Sequence, residues 1–257
     1  IIGCIVLFGM ITAVTGNFNL SVIISAAKLC TFALLLGLGQ MIVVTSGDGA
    51  IDLSQKYILT LAAYVSCTVM TKNILLGLAA SILIGAVCGG LSACVNVFLK
   101  VPAMITTLAT GYLFYTVILV VSSKWSSIPA KGFVNFVNKN VFGINMMTII
   151  CIAVAVLLWF LLYRTKYGKN LHAVGQKREA ARLAGINVRK TVIIAFVING
   201  ALCGLAGAMA GAYCGGANQD LGTTYFLPYV AADFVGGTNA AGGKSSVVGV
   251  SFGALMM

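Results

Sequence analysis

Charge-free stretches separated by short polar breaks dominate the hydrophobic pattern of this chain. Residues 1–27, 29–47, 73–99, 101–123, 140–163 and 191–219 contain no Asp, Glu, Lys or Arg. Most of them match or exceed the ~20 residues that a helix needs to cross a ~30 Å hydrocarbon core. The pattern predicts crossings at 1–15, 28–45, 57–71, 74–99, 101–121, 144–163 and 191–214. The resulting fold class is an all-α polytopic transmembrane bundle, and one signal peptide or anchor does not explain it.

Two segments break the pattern. Residues 46–56, SGDGAIDLSQK, bring glycines and two aspartates into apolar surroundings. Residues 225–237, YFLPYVAADFVGG, are apolar but too short to cross, and carry Pro228 and Asp233. Broken segments at membrane depth are tolerated only where protein or a water-filled cavity covers them. Re-entrant or interrupted structure is therefore expected at both, near a substrate path. Glycines four apart, at Gly85 and Gly89, Gly200 and Gly204, Gly207 and Gly211, and Gly249 and Gly253, predict close helix–helix contacts. The last apolar run reaches Met257 without a charged flank, and the first residue is Ile1. A single permease-type domain over 1–257, continuing at both ends with at least one further crossing, is the expectation.

Composition agrees, with 60% hydrophobic and only 8% charged residues. The net charge of +11 would suggest nucleic acid in a soluble protein. Here basic residues at span ends serve orientation and anionic headgroups instead. Eight of the sixteen basic residues fall within 164–190, namely Arg164, Lys166, Lys169, Lys177, Arg178, Arg182, Arg189 and Lys190, against the single acid Glu179. Lys124, Lys131 and Lys139 lie in the loop 122–143. Eight against three places the 164–190 loop in the cytoplasm.

No catalytic or metal constellation emerges. The eight cysteines form no CxxC pair, and His172 is the only histidine, so no metal and no cofactor are expected. Residues 237–245 look like a phosphate-binding loop, but five residues rather than four separate the glycines, and no strand precedes them. The chain is therefore expected not to be an enzyme, and any ATP hydrolysis is assigned to a partner.

The basic loop is more organised than an orientation tag. Residues 176–184, QKREAARLA, are strong helix formers and Gly185 supplies the stop. Ala180, Leu183 and Ala184 form a small apolar face, Lys177, Arg178 and Arg182 project charge, and Glu179 is within i,i+3 reach of Arg182. Such a helix suits docking into a groove of another protein.

Residues 172–188, HAVGQKREAARLAGINV, resemble the cytoplasmic coupling loop of ATP-binding-cassette importer permeases. The likeness is greatest to the branch serving ribose, xylose, galactose and the autoinducer-2 signal. The stretch IDLS at 51–54 and VGGTNAAGGKSSVVG at 235–249 are similar to two further family motifs, in the family's order. The chain departs from the pattern in the apparent insertion at 48–50, in Gln55 and Lys56 after the IDLS stretch, and in Asp233 at a usually apolar position. The resemblance implies a dimer, with a second copy or a paralogue, above two ATPase subunits in a bacterial inner membrane. An extracytoplasmic binding protein would deliver a monosaccharide or small polyol. It also implies that residues 177–185 contact the ATPase, with Lys177, Arg178, Glu179, Ala180, Ala181, Arg182, Leu183 and Gly185 as candidates. Polar residues in apolar surroundings, Asp52, Asn96, Asn199 and Asp233, are the candidates for the substrate path, because burying such groups is costly. Import of a nucleoside or branched-chain amino acid, or an ion-coupled secondary carrier, stays open as an alternative.

Overall fold

The computed structural model describes residues 20–141 and 144–257, with side-chain positions from Cys30 onward. The crossing expected at 1–15 lies outside the described residues. The elements in order are α1 (Leu20–Thr45), α2 (Gln55–Met70), α3 (Ile74–Leu99), α4 (Ala103–Ser122), α5 (Lys131–Asn138), the strands β1 (Asn140–Val141) and β2 (Ile144–Asn145), α6 (Met146–Arg164), α7 (Lys166–Gln176), α8 (Arg178–Leu183), α9 (Val188–Tyr213), α10 (Phe226–Val235) and α11 (Val247–Met256). The architecture is an all-α bundle, and α3, α4, α6 and α9 are each long and apolar enough to cross a membrane. The two strands pair antiparallel, Asn140 opposite Asn145. Neither this hairpin nor α5 was expected from the sequence, where residues 122–143 read as a plain loop.

Helix α9 is the axis of the bundle. Two thirds of its most apolar window is buried, whereas α3, α4 and α6 bury a third or less and turn Leu83, Leu91, Leu113, Val156 and Phe160 outward. Small residues explain how α9 is reached so closely. Gly85 and Gly89 of α3 lie on the backbone of Phe196, Gly200 and Gly204, and Gly207 lies on Leu59 of α2. Gly249 and Gly253 of α11 meet Gly236 and Ala232 around α10 in the same way. Without a hydrophobic driving force between helices in lipid, such backbone approach supplies the attraction through packing. Hydroxyls add to it where Ser92 of α3 meets Thr110 of α4 at 2.8 Å.

Both pattern breaks fold back into the bundle. Thr45, at the end of α1, accepts a hydrogen bond from Gly243 N at 3.0 Å, on the side of the basic loop. A turn follows in which Gly47, Asp48 and Gly49 all have positive φ, a conformation that glycine and Asx residues tolerate. The chain then climbs until Asp52 meets Asn199 of α9. Asn199 is eleven residues past Val188 and fourteen short of Tyr213, or about 16 and 21 Å from the two ends at 1.5 Å per residue. Residues 46–54 are thus a re-entrant loop and α2 starts at mid-depth. On the other side, the chain leaves α9 at Tyr213 and comes back until Gly222 N donates to Thr60 Oγ1 at 3.0 Å. The half-length helix α10 starts beside that point and leads to the loop 236–246.

Candidate functional site: an exposed basic helix and a buried polar junction

The basic loop is two helices rather than one. Thr165 caps α7, its hydroxyl accepting from Gly168 N at 3.3 Å. Extended Lys177, at φ −159° and ψ 106°, separates α7 from α8. The single helix expected over 176–184 therefore begins at Arg178. Its stop is as read: Gly185 has φ +81°, and Ile186 N returns to Ala181 O at 3.0 Å.

This helix pair stands on a buried, hydrogen-bonded base. Leu171, Val174 and Ala181 are buried, and Tyr167 OH donates to Thr191 O at 3.4 Å. The loop 236–246 seals the other flank, with His172 Nδ1 3.3 Å from Gly243 O and Tyr163 OH donating to Ser245 O at 3.0 Å. Gly47, Gly175, Gly242 and Gly243 touch through their backbones, leaving no room for a side chain on Gly175. The phosphate-loop lookalike is thus a packing element against α1 and α7. Arg178 pairs with Asp48 at 2.7 Å, tying α8 to the re-entrant loop; this ion pair forms in place of the contact expected between Glu179 and Arg182. What the base leaves exposed is Lys177, Glu179, Ala180, Arg182, Leu183, Ala184 and Gly185, with Leu183 at 87% of its full exposure.

Of the four candidates for the path, the structure brings two together. Asp52 is fully buried. Its Oδ2 accepts from Asn199 Nδ2 at 2.7 Å, and its Oδ1 accepts from Ser54 N at 2.9 Å and Ser54 Oγ at 2.6 Å. Gln55 Nε2 donates to Asn199 Oδ1 and to Leu36 O. Asp52 N donates to Gln40 Oε1 at 3.3 Å, and Leu53 N to Thr107 Oγ1 at 3.0 Å. One polar knot therefore joins α1, the re-entrant loop, α2, α4 and α9 at mid-depth, and satisfies the backbone that the chain break frees. Sequence reading found Asp52 and Asn199 but missed Gln40, Gln55 and Thr107.

The other two candidates lie apart. Asn96 donates from Nδ2 to Val101 O at 2.7 Å, closing the left-handed turn at Lys100. It lines a cavity of about 390 Å³ with Asp48, Lys100, Arg178 and Arg189 on the basic-loop side. Asp233 is fully buried in α10, and neither carboxylate oxygen has a hydrogen-bond partner.

Among the described residues, four helices long and apolar enough to cross a membrane, two re-entrant breaks and an exposed basic helix on one side fit a multi-pass membrane protein. A family model described as "Branched-chain amino acid transport system / permease component" matches residues 22–257, and the chain belongs to that family. Relatives include the D-allose transport system permease protein of Escherichia coli K12, 31% identical over 87% of this chain and 69% of that protein. The autoinducer 2 import system permease protein of Photorhabdus luminescens is 27% identical over 98% of this chain and 78% of its own length. Its namesake from Yersinia pseudotuberculosis has the same identity and coverage. No solved structure matches at comparable significance.

Proposed function

We propose that this permease is the membrane subunit of an ATP-driven importer for a monosaccharide or similar small polyol. The loop 164–190 faces the cytoplasm in this reading, and residues 177–185 dock into an ATPase subunit. Two permease chains form the pathway, and an extracytoplasmic binding protein delivers the sugar. The observation that carries the coupling role is the exposed α8 surface on its packed base. Movement of the partner is then passed to the re-entrant loop through Arg178 and Asp48 rather than absorbed. The substrate class rests on the likeness to permeases for D-allose and the autoinducer 2 signal.

Cysteine introduced as Ala180→Cys is expected to crosslink to the co-expressed ATPase, because Ala180 lies on the exposed face. Intact transport with no crosslink would reject the docking surface. For the substrate, the complex reconstituted with its binding protein is screened with ribose, galactose, allose, nucleosides and branched-chain amino acids. Stimulation of ATP hydrolysis is expected with a sugar. Stimulation by an amino acid alone overturns the substrate class in favour of the one in the family's description.

A further inference from the structure

Lys56 is the one cation that the described residues place at mid-depth. It follows Gln55, whose side chain is tied to Asn199, and its carbonyl lies against Gly222 where the second chain break returns. Its ammonium rests over the Tyr57 ring at 4.8 Å from the centroid and over the Phe226 ring at 5.0 Å. Tyr57 in turn packs at 5.9 Å on Tyr112 and 5.4 Å on Tyr115 of α4, in the space that Gly111 leaves beside it. All five side chains are partly or largely exposed on the same side of the bundle.

Elsewhere the long helices turn hydrocarbon outward, as in Leu83, Leu91, Val156 and Phe160. A lysine there would be costly against lipid, and ionisable groups within spans face the bundle interior or a water-filled cavity. The face of Lys56, Tyr57, Tyr112, Tyr115 and Phe226 is therefore the wall of an aqueous path rather than a lipid contact. Its chemistry is selective. Aromatic faces receive the C–H surface of a pyranose or furanose ring. The tyrosine hydroxyls and the three ammonium hydrogens address its hydroxyl groups. The ring faces that now hold the ammonium are the same faces a sugar would cover, so Lys56 must swing from ring to hydroxyl as the sugar arrives. That competition keeps affinity low, as a transit site requires.

We infer that Lys56, Tyr57, Phe226 and the tyrosines of α4 form a transient sugar-contact site where the two chain breaks meet. This rests on the sugar-import reading above. The test uses the assembled importer in proteoliposomes, with its ATPase and binding protein, and radiolabelled D-allose, D-ribose and D-galactose. Failure of the unaltered complex to take up any sugar, or uptake of an anionic solute instead, refutes the import reading and this site with it. Given uptake, Lys56→Gln and Tyr112→Ala should each lower it about tenfold, as expected for loss of one polar or aromatic contact, in complexes that assemble with the ATPase at the wild-type yield. Wild-type uptake in both variants, or a fall of uptake that only follows a fall in assembled complex, overturns the site and leaves the import reading standing. A third variant reports the environment directly. Tyr112→Cys should react with a water-soluble cationic thiol reagent above the background of the parent chain, and saturating sugar should slow it. No reaction above background places that face in lipid and overturns the site.

Discussion

Gly200→Ala is expected to destabilise this protein strongly, while Gly211→Ala, about three turns along the same helix, leaves it intact. At Gly200 the added carbon would fall on the carbonyl of Gly85, with Gly89 behind it. No rotamer relieves that clash, because both opposing atoms are backbone. Overpacking of this sort costs about 1–3 kcal/mol or more, and here it acts on the contact between α3 and α9 that holds the axis in place. At Gly211 the nearest atoms are Cys67 Sγ at 3.4 Å and Ala63 Cβ at 3.5 Å, ordinary contact distances. Replacing a helical glycine by alanine there gains up to about 1 kcal/mol of helix propensity. Size-exclusion profiles and thermal melts of the detergent-extracted protein read the difference. Equal melting of the two variants would show that the axis tolerates separation of α3 from α9.

How far such contacts can be read in advance depends on the signal they leave. Glycines four apart marked Gly85, Gly89, Gly200 and Gly204 as packing positions, because lipid offers helices no other driving force. Charge-free length placed α3 and α9 within a few residues of their observed ends. The Gly-terminated helix of the basic loop was legible from propensity, but the extended residue that divides α7 from α8 was not: Lys177 is a good helix former, and contacts from Thr45 and Gly243 set its neighbours' course. Lys56 read as the polar flank of a short span, since a lysine bordering apolar residues ordinarily marks the interface. Only the climb of residues 46–54 to the level of Asn199 reveals it at mid-depth. Gln40 and Gln55 were missed for a related reason. Within spans every face is apolar, so periodicity no longer separates inside from outside, and partners 144 positions apart for Gln55 and Asn199, or 147 for Asp52 and Asn199, leave no local trace.

That distant pairing gives the second large effect, a rescue by exchange of side chains. Asn199→Asp alone sets a second carboxylate where Asn199 Nδ2 now donates to Asp52 Oδ2 at 2.7 Å. Two carboxylates sharing one buried site cannot both ionise, and a buried hydrogen-bonding group left without its partner costs about 1–3 kcal/mol. Asp52→Asn alone is milder. Its amide nitrogen meets that of Asn199 unless Asn199 and Gln55 turn over in sequence, which leaves Gln55 Nε2 as the orphan donor in place of its present bond to Asn199. The combination of Asp52→Asn with Asn199→Asp removes both conflicts. The amide oxygen introduced at position 52 would still accept from Ser54, and the amide nitrogen beside it would donate to the new carboxylate at position 199. The second oxygen of that carboxylate would accept from Gln55. Every donor keeps an acceptor, with no amide reversed. The double variant should therefore melt above Asn199→Asp, with a favourable coupling of about 2 kcal/mol, as residues in one hydrogen-bond network show. Transport should return along with stability if the knot only braces the re-entrant loop. A double variant no more stable than the sum of its parts would mean that Asp52 and Asn199 do not hold each other, and that the loop is fixed at mid-depth by Gln40 and Thr107 instead.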